Sequence, residues 1–149
     1  MNQKYLDKAL KYASKAFDSN EVPVGAVIVK DNQIIGYGYN KKEKNKSVLA
    51  HAELIAIKMA EKKVDNWRLN DCDIYVSLDP CPMCASAIKQ ARIKNVYSAL
   101  NNLDKNNFEI ITQIFKKDKL NPEVNFESNL NVESAKKILN SFFKKQRKD

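Results

Sequence analysis

The sequence predicts a three-layer α/β/α fold with a mixed central sheet, and three observations carry that prediction. Apolar residues recur at helical spacing near the start of the chain, a β-rich hairpin pattern follows, and helix and strand patterns then alternate. With 149 residues, 44% of them apolar, the chain can bury one substantial core, so a single domain spanning 1–149 is expected.

Residues 2–19 set Leu6, Ala9, Leu10, Ala13, Ala16 and Phe17 along one helical face with Lys on the other, the pattern of an amphipathic helix lying on a core. Next, VPVGAVIVKDNQIIGYGYN holds two β-rich runs about Asp31 and Asn32, which reads as a hairpin. Pro23 and Gly25 suit an edge or a close approach of backbone. The helical period returns from Ala50 to Lys63, and CDIYVSL at 72–78 is a continuous β-type run fit for a strand buried on both faces. Pro82 stands where a first-turn proline is tolerated, and Ala85, Ala87, Ile88 and Ala91 carry a second helix toward the strand NVYSAL. Helix, strand, helix, strand implies a crossover and a parallel pair. Beyond it, NFEIITQIF reads as a helix, EVNFES as an edge strand, and Asn131 as the N-cap of a basic terminal helix over about 131–147.

The formal charge of +8 comes from 26 basic residues, mostly Lys, against 18 acidic ones, which suits phosphate-rich partners. A genome bias toward Lys and Asn would give the same excess, so charge alone does not choose. No segment approaches the roughly eighteen apolar residues of a membrane span, and the start lacks the apolar core of a secretory signal, so a cytoplasmic protein with no membrane partner is expected. In a reducing compartment the C-x-x-C of Cys81 and Cys84 reads as metal or redox chemistry rather than a structural disulfide, while Cys72 reads as a small buried apolar residue.

The sole histidine, His51, opens one predicted helix, and Cys81 and Cys84 open another. Zinc takes three or four such donors in a tetrahedron, and a catalytic site leaves one position for water. If the two helices lie side by side on the sheet, their N-termini converge and one ion can be held between them. The helix dipole there favours thiolate over thiol. Glu53, two residues beyond the histidine, would then face the open position as a general base. Taken singly, each residue has a plainer reading: a helix-start His as a cap, a first-turn Glu as a dipole complement, C-x-x-C as a redox pair. The joint pattern leaves His51 and Glu53 unexplained by the redox reading.

The arrangement H-x-E followed by P-C-x-x-C matches the signature of zinc deaminases acting on bases. Together with EVPVGAVIV, IIGYGYN, AHAELIAI, NWRLNDCDIYVSLDPCPMCASAI and SFFKKQR, it makes the chain resemble the bacterial tRNA adenosine deaminases of the cytidine deaminase-like superfamily. That resemblance implies a cytidine deaminase-like fold and a homodimer with one Zn2+ per subunit. It implies conversion of adenosine to inosine at the wobble position of a tRNA anticodon loop, with an arginine tRNA expected. In that picture His51, Cys81 and Cys84 bind zinc and Glu53 shuttles the proton of a water that attacks C6 of adenine. Backbone groups around Ala52, Leu78 and Asp79 would fix the purine edge, and Asn40 would contact base or ribose, although its position also suits a plain turn residue. Phe142, Phe143, Lys144, Lys145 and Arg147 would form the RNA-contacting end of the last helix, against the plainer reading of a core Phe pair and dipole-matched cations.

Two other functions stay open on sequence. One is deamination of a free guanine- or cytosine-type base or nucleotide, which would need no basic terminal helix. The other is a non-catalytic zinc protein that binds RNA, which would normally need a fourth protein ligand.

Overall fold

A computed structural model describes residues 1–148 of the chain. Helix α1 (Gln3–Asp18) is capped by Asn2, whose side chain accepts from the Lys4 N–H. Strands β1 (Gly25–Lys30) and β2 (Gln33–Tyr39) form the hairpin. Asp31 and Asn32 both take positive φ, the left-handed turn that matches the twist of paired strands. A short helix α2 (Lys42–Asn45), which the sequence pattern does not signal, precedes α3 (Ala52–Val64). Then come β3 (Asp73–Val76), α4 (Pro82–Gln90), β4 (Asn95–Ser98), α5 (Lys105–Ile114), β5 (Asn125–Glu127) and α6 (Val132–Lys148).

The sheet order is β2-β1-β3-β4-β5. β1 pairs antiparallel with both β2 and β3, whereas β3, β4 and β5 run parallel. The expected mixed sheet is therefore present, and the parallel part extends one strand beyond the expected pair.

Alternation along the strands splits the core into two layers. Ile74 and Val76 pack beneath α3, α4 and α5 with Ala56, Ile88 and Ile111. Tyr75 between them faces the other way, toward Leu6, Leu10 and Leu139 of α1 and α6. Gly25 is required by close approach: a side chain there would strike the backbone of α1 at Ala9 and Ala13. Cys72 is fully buried and its thiol is pushed up to about 11 by burial, in keeping with an inert packing residue. Among the described residues, no helix is long and apolar enough to cross a membrane.

Candidate active site

Helices α3 and α4 both begin beside the C-terminal end of β3, the end of a parallel sheet at which ligands usually bind. His51 is the N-cap residue of α3 and Cys81 that of α4, each in extended backbone, so their side chains leave the helix ends where N–H groups point outward. Pro82 at the first position of α4 fixes the turn that brings Cys84 back toward Cys81.

His51 Nδ1 lies 3.4 Å from Cys84 Sγ and 3.8 Å from Cys81 Sγ. In a tetrahedral zinc site the standard bond lengths place nitrogen and sulfur donors about 3.5 Å apart, so the three atoms fit one ion. Among the described residues this is the one group of three such donors close enough to share a metal, and Cys72 is not part of it. Two sulfurs and one imidazole, with no fourth donor grouped with them among the described residues, make an open rather than a closed coordination set.

The thiols are unlike. The neighbouring Cys84 thiol, with the backbone amides of Cys84 and Met83 and the His51 ring, draws Cys81 down to about 5 against the opposing effect of burial. Cys84, holding the proton and deeply buried, is pushed well above an ordinary thiol. The thiolate is the form in which cysteine binds a metal.

Glu53 is 3% exposed and borders the same pocket, of about 240 Å³, as His51 and Cys81. Burial pushes its carboxyl up to about 7; its backbone hydrogen bond opposes that, the Cys81 thiolate adds to it, and a hydrogen bond with Cys84 opposes it again. A buried carboxyl is thus held next to the donor triad without joining it.

Asn40 lines the pocket too, and it is more than a turn residue. Its Oδ1 accepts from the Ala52 N–H at 2.9 Å, which caps α3 and leaves the amide NH2 as a donor toward a ligand. The same bond commits the N–H of Ala52, a fully buried residue, to holding the start of α3. The Asp79 N–H is likewise committed, to Leu100 O at 2.9 Å. Asp79 lines the pocket together with Leu78, and its Oδ1 accepts from Ser128 at 2.5 Å, tying the site loop to the segment that launches α6.

The terminal aromatic pair divides. Phe142, 5% exposed, packs edge-on against Phe17 and presents little surface, while Phe143 is 45% exposed. Lys144, Lys145 and Arg147 lie exposed on α6, with Lys145 Nζ 3.1 Å from Asn20 Oδ1. A second hollow, about 490 Å³, shares Asn40 and Lys42 with the pocket beside the donor triad and reaches Phe142, Phe143 and Gln146.

Sequence reading missed Glu21. Its buried carboxylate accepts from the N–H groups of Glu43 and Lys44 at 3.1 and 3.0 Å, pinning α2 at the rim of both hollows. A Glu before a strand gives no sequence signal of burial, since most such residues are solvated.

The whole chain matches proteins of known family. The family model described as MafB19-like deaminase covers residues 1–147. A tRNA-specific adenosine deaminase of Aquifex aeolicus (strain VF5) is 40% identical over 146 residues, covering 96% of this chain and 94% of its own length. One from Streptococcus pyogenes serotype M1 is 37% identical over 143 residues, covering 96% and 84%. Among solved structures, one from a study of A-to-I editing by tRNA:A34 deaminases superposes with a TM-score of 0.84 at 33% identity, covering 93% of this chain and all of that one. A guanine deaminase from Bacillus subtilis superposes with a TM-score of 0.67 at 32% identity, covering 100% and 96%. On its full-length match and on the His51, Cys81, Cys84 and Glu53 geometry, the chain belongs to the MafB19-like deaminases and, among them, to the tRNA-specific adenosine deaminases.

Proposed function

We propose that this chain catalyses the hydrolytic deamination of adenosine to inosine at the wobble position of a tRNA anticodon, in the cytoplasm, with one zinc ion per subunit. The observation that carries it is the buried Glu53 carboxylate, set beside a three-donor site in a pocket sized for one flat base. A zinc ion held by His51, Cys81 and Cys84 would supply Lewis acidity, lowering the pKa of water from about 15.7 toward about 7. Glu53 takes the proton of the attacking water and delivers it to the purine as ammonia leaves, so water is consumed and one ammonia released per inosine. Asn40 orients the nucleoside through its free NH2, and Leu78 gives the base an apolar wall. Because the base must stand out of a stack to enter, loop RNA is preferred over duplex.

The hollow leading from the pocket to Phe143, and the cations beyond it, favour RNA over a free base. Purified protein incubated with total tRNA should yield inosine at a wobble position on sequencing, in an arginine tRNA on the family's pattern; no inosine in any tRNA overturns the reading. Neutralising Lys144, Lys145 and Arg147 together should raise KM for tRNA about tenfold or more, with a shallower salt dependence, and leave deamination of free adenosine unchanged. Loss of nucleoside turnover instead would favour the small-substrate reading, which the similarity to guanine deaminase also keeps in view.

We further propose a homodimer. Val48 and Leu49, adjacent and 63% and 61% exposed, form an apolar tip beside the half-buried Leu54 and Ile55 of α3. Such a tip is costly in water and suits a second copy. Sedimentation velocity should give a dimer for the native chain and a monomer for Leu49→Glu; a native monomer overturns it.

A further inference from the structure

On the outer face of the hairpin stands an aromatic array that the site described above does not use. Gly36 and Gly38 of β2 face α3, where a side chain would run into the backbone of Ala56 and Ala52. The alternation of the strand therefore sends Tyr37 and Tyr39 to the opposite face, beside α1. There the ring of Tyr12 lies 4.8 Å from that of Tyr37 and 6.2 Å from that of Tyr39, with interplanar angles of only 9° and 8°. Lys41 Nζ sits 4.8 Å from the Tyr39 ring centre and Lys15 Nζ 5.4 Å from that of Tyr12. Tyr37, at the edge of the sheet, is 39% exposed. Among the described residues neither lysine is paired with a carboxylate, and Lys8 and Lys11 are exposed on the same helix.

We propose that the Tyr12, Tyr37 and Tyr39 face, with Lys15 and Lys41, is a second RNA-contacting surface that takes nucleotides flanking the base being deaminated. This rests on the tRNA reading above and extends it. Tyr39 is followed directly by Asn40, whose side chain lines the pocket, so the array begins one residue along the chain from the pocket wall. Parallel aromatic planes interleaved with ammonium groups are the surface that unpaired nucleotides use: π-faces stack on bases of any sequence and cations meet the phosphates. A protein partner is a poorer match, because the cores of protein interfaces are depleted in lysine.

The test is tRNA affinity, read by fluorescence anisotropy across a salt series, for the native protein, Tyr37→Leu, Tyr37→Phe and the double variant Lys15→Gln, Lys41→Gln. Tyr37→Leu should weaken binding about tenfold, the scale of one lost base stack, and Tyr37→Phe should restore it. The double variant should lower the salt slope by roughly one to two. Native affinity and native slope in both Tyr37→Leu and the double variant overturn the proposal. Should Tyr37→Leu unfold, the two exposed-side lysine changes decide alone, a native slope counting against it. Inosine formation by the native protein is scored separately: its absence overturns the tRNA reading, whereas editing by the native protein with native-like binding by the variants removes only this surface.

Discussion

Glu53→Gln is expected to lower turnover by roughly 10²–10⁴-fold, the range a positioned proton-transfer group contributes, while zinc content and fold stay native. The amide has nearly the volume of the carboxyl and fills the same pocket, so Ala52, Ala56 and the fully buried Cys84 keep their packing. What it lacks is the ability to take a proton from water and return it to the leaving nitrogen. His51, Cys81 and Cys84 are untouched, so metal per chain, measured by elemental analysis, should remain near that of the native protein. That combination separates catalysis from structure: a closed structural zinc protein would show no change in function when Glu53 is altered. Native turnover in Glu53→Gln would reject the assigned base, and loss of metal alongside turnover would make the residue part of the binding set instead.

Gly38→Ala is expected to destabilise the fold by about 1–3 kcal/mol, the usual cost of overpacking, and to reduce kcat along with it. The added methyl would run into the Ala52 carbonyl oxygen and come within 2.9 Å of the Ile55 Cβ and 3.0 Å of the Ala56 nitrogen. Those atoms belong to the first turns of α3, and backbone cannot rotate away as a flexible side chain can. The helix must lift from β2, and His51 and Glu53 ride on its N-terminus. In an open strand alanine is the better residue by about 0.5–1 kcal/mol, so the sign of the result itself reports the contact. Thermal denaturation and steady-state kinetics check it, with Gln33→Ala on the exposed start of the same strand as the neutral control. A melting temperature and kcat equal to native would show that α3 yields freely and that its seat on the two glycines does not set the site.

Much of the architecture was legible because local patterns and global fold agree. The helical period of α1, the hairpin at Asp31 and Asn32, the buried run of β3 and the first-turn Pro82 each correspond to an element within a few residues. The donor set was legible for a related reason: His51 and the two cysteines are helix-start residues, and helix starts can be read from caps and prolines. Ambiguous pairs were not. Nothing in the adjacent rings of Phe142 and Phe143 says which faces Phe17 and which faces water. Nor does a main-chain N–H advertise its partner, so the commitments of Ala52 to Asn40 and of Asp79 to Leu100 could be found only in space. The buried clamp of Glu21 on α2 lies across a sequence gap of more than twenty residues.

By itself, the sequence determined the kind of chemistry and the elements that carry it, since ligand type, cap position and hydrophobic period are properties of neighbouring residues. The tertiary structure alone decided the strand order β2-β1-β3-β4-β5, the convergence of the two helix starts, and which groups around the pocket are spent on holding the fold and which stay free for a substrate. The physical reason is that backbone hydrogen bonds and burial are satisfied between segments distant in the chain, and a donor used in one such pairing is lost to every other.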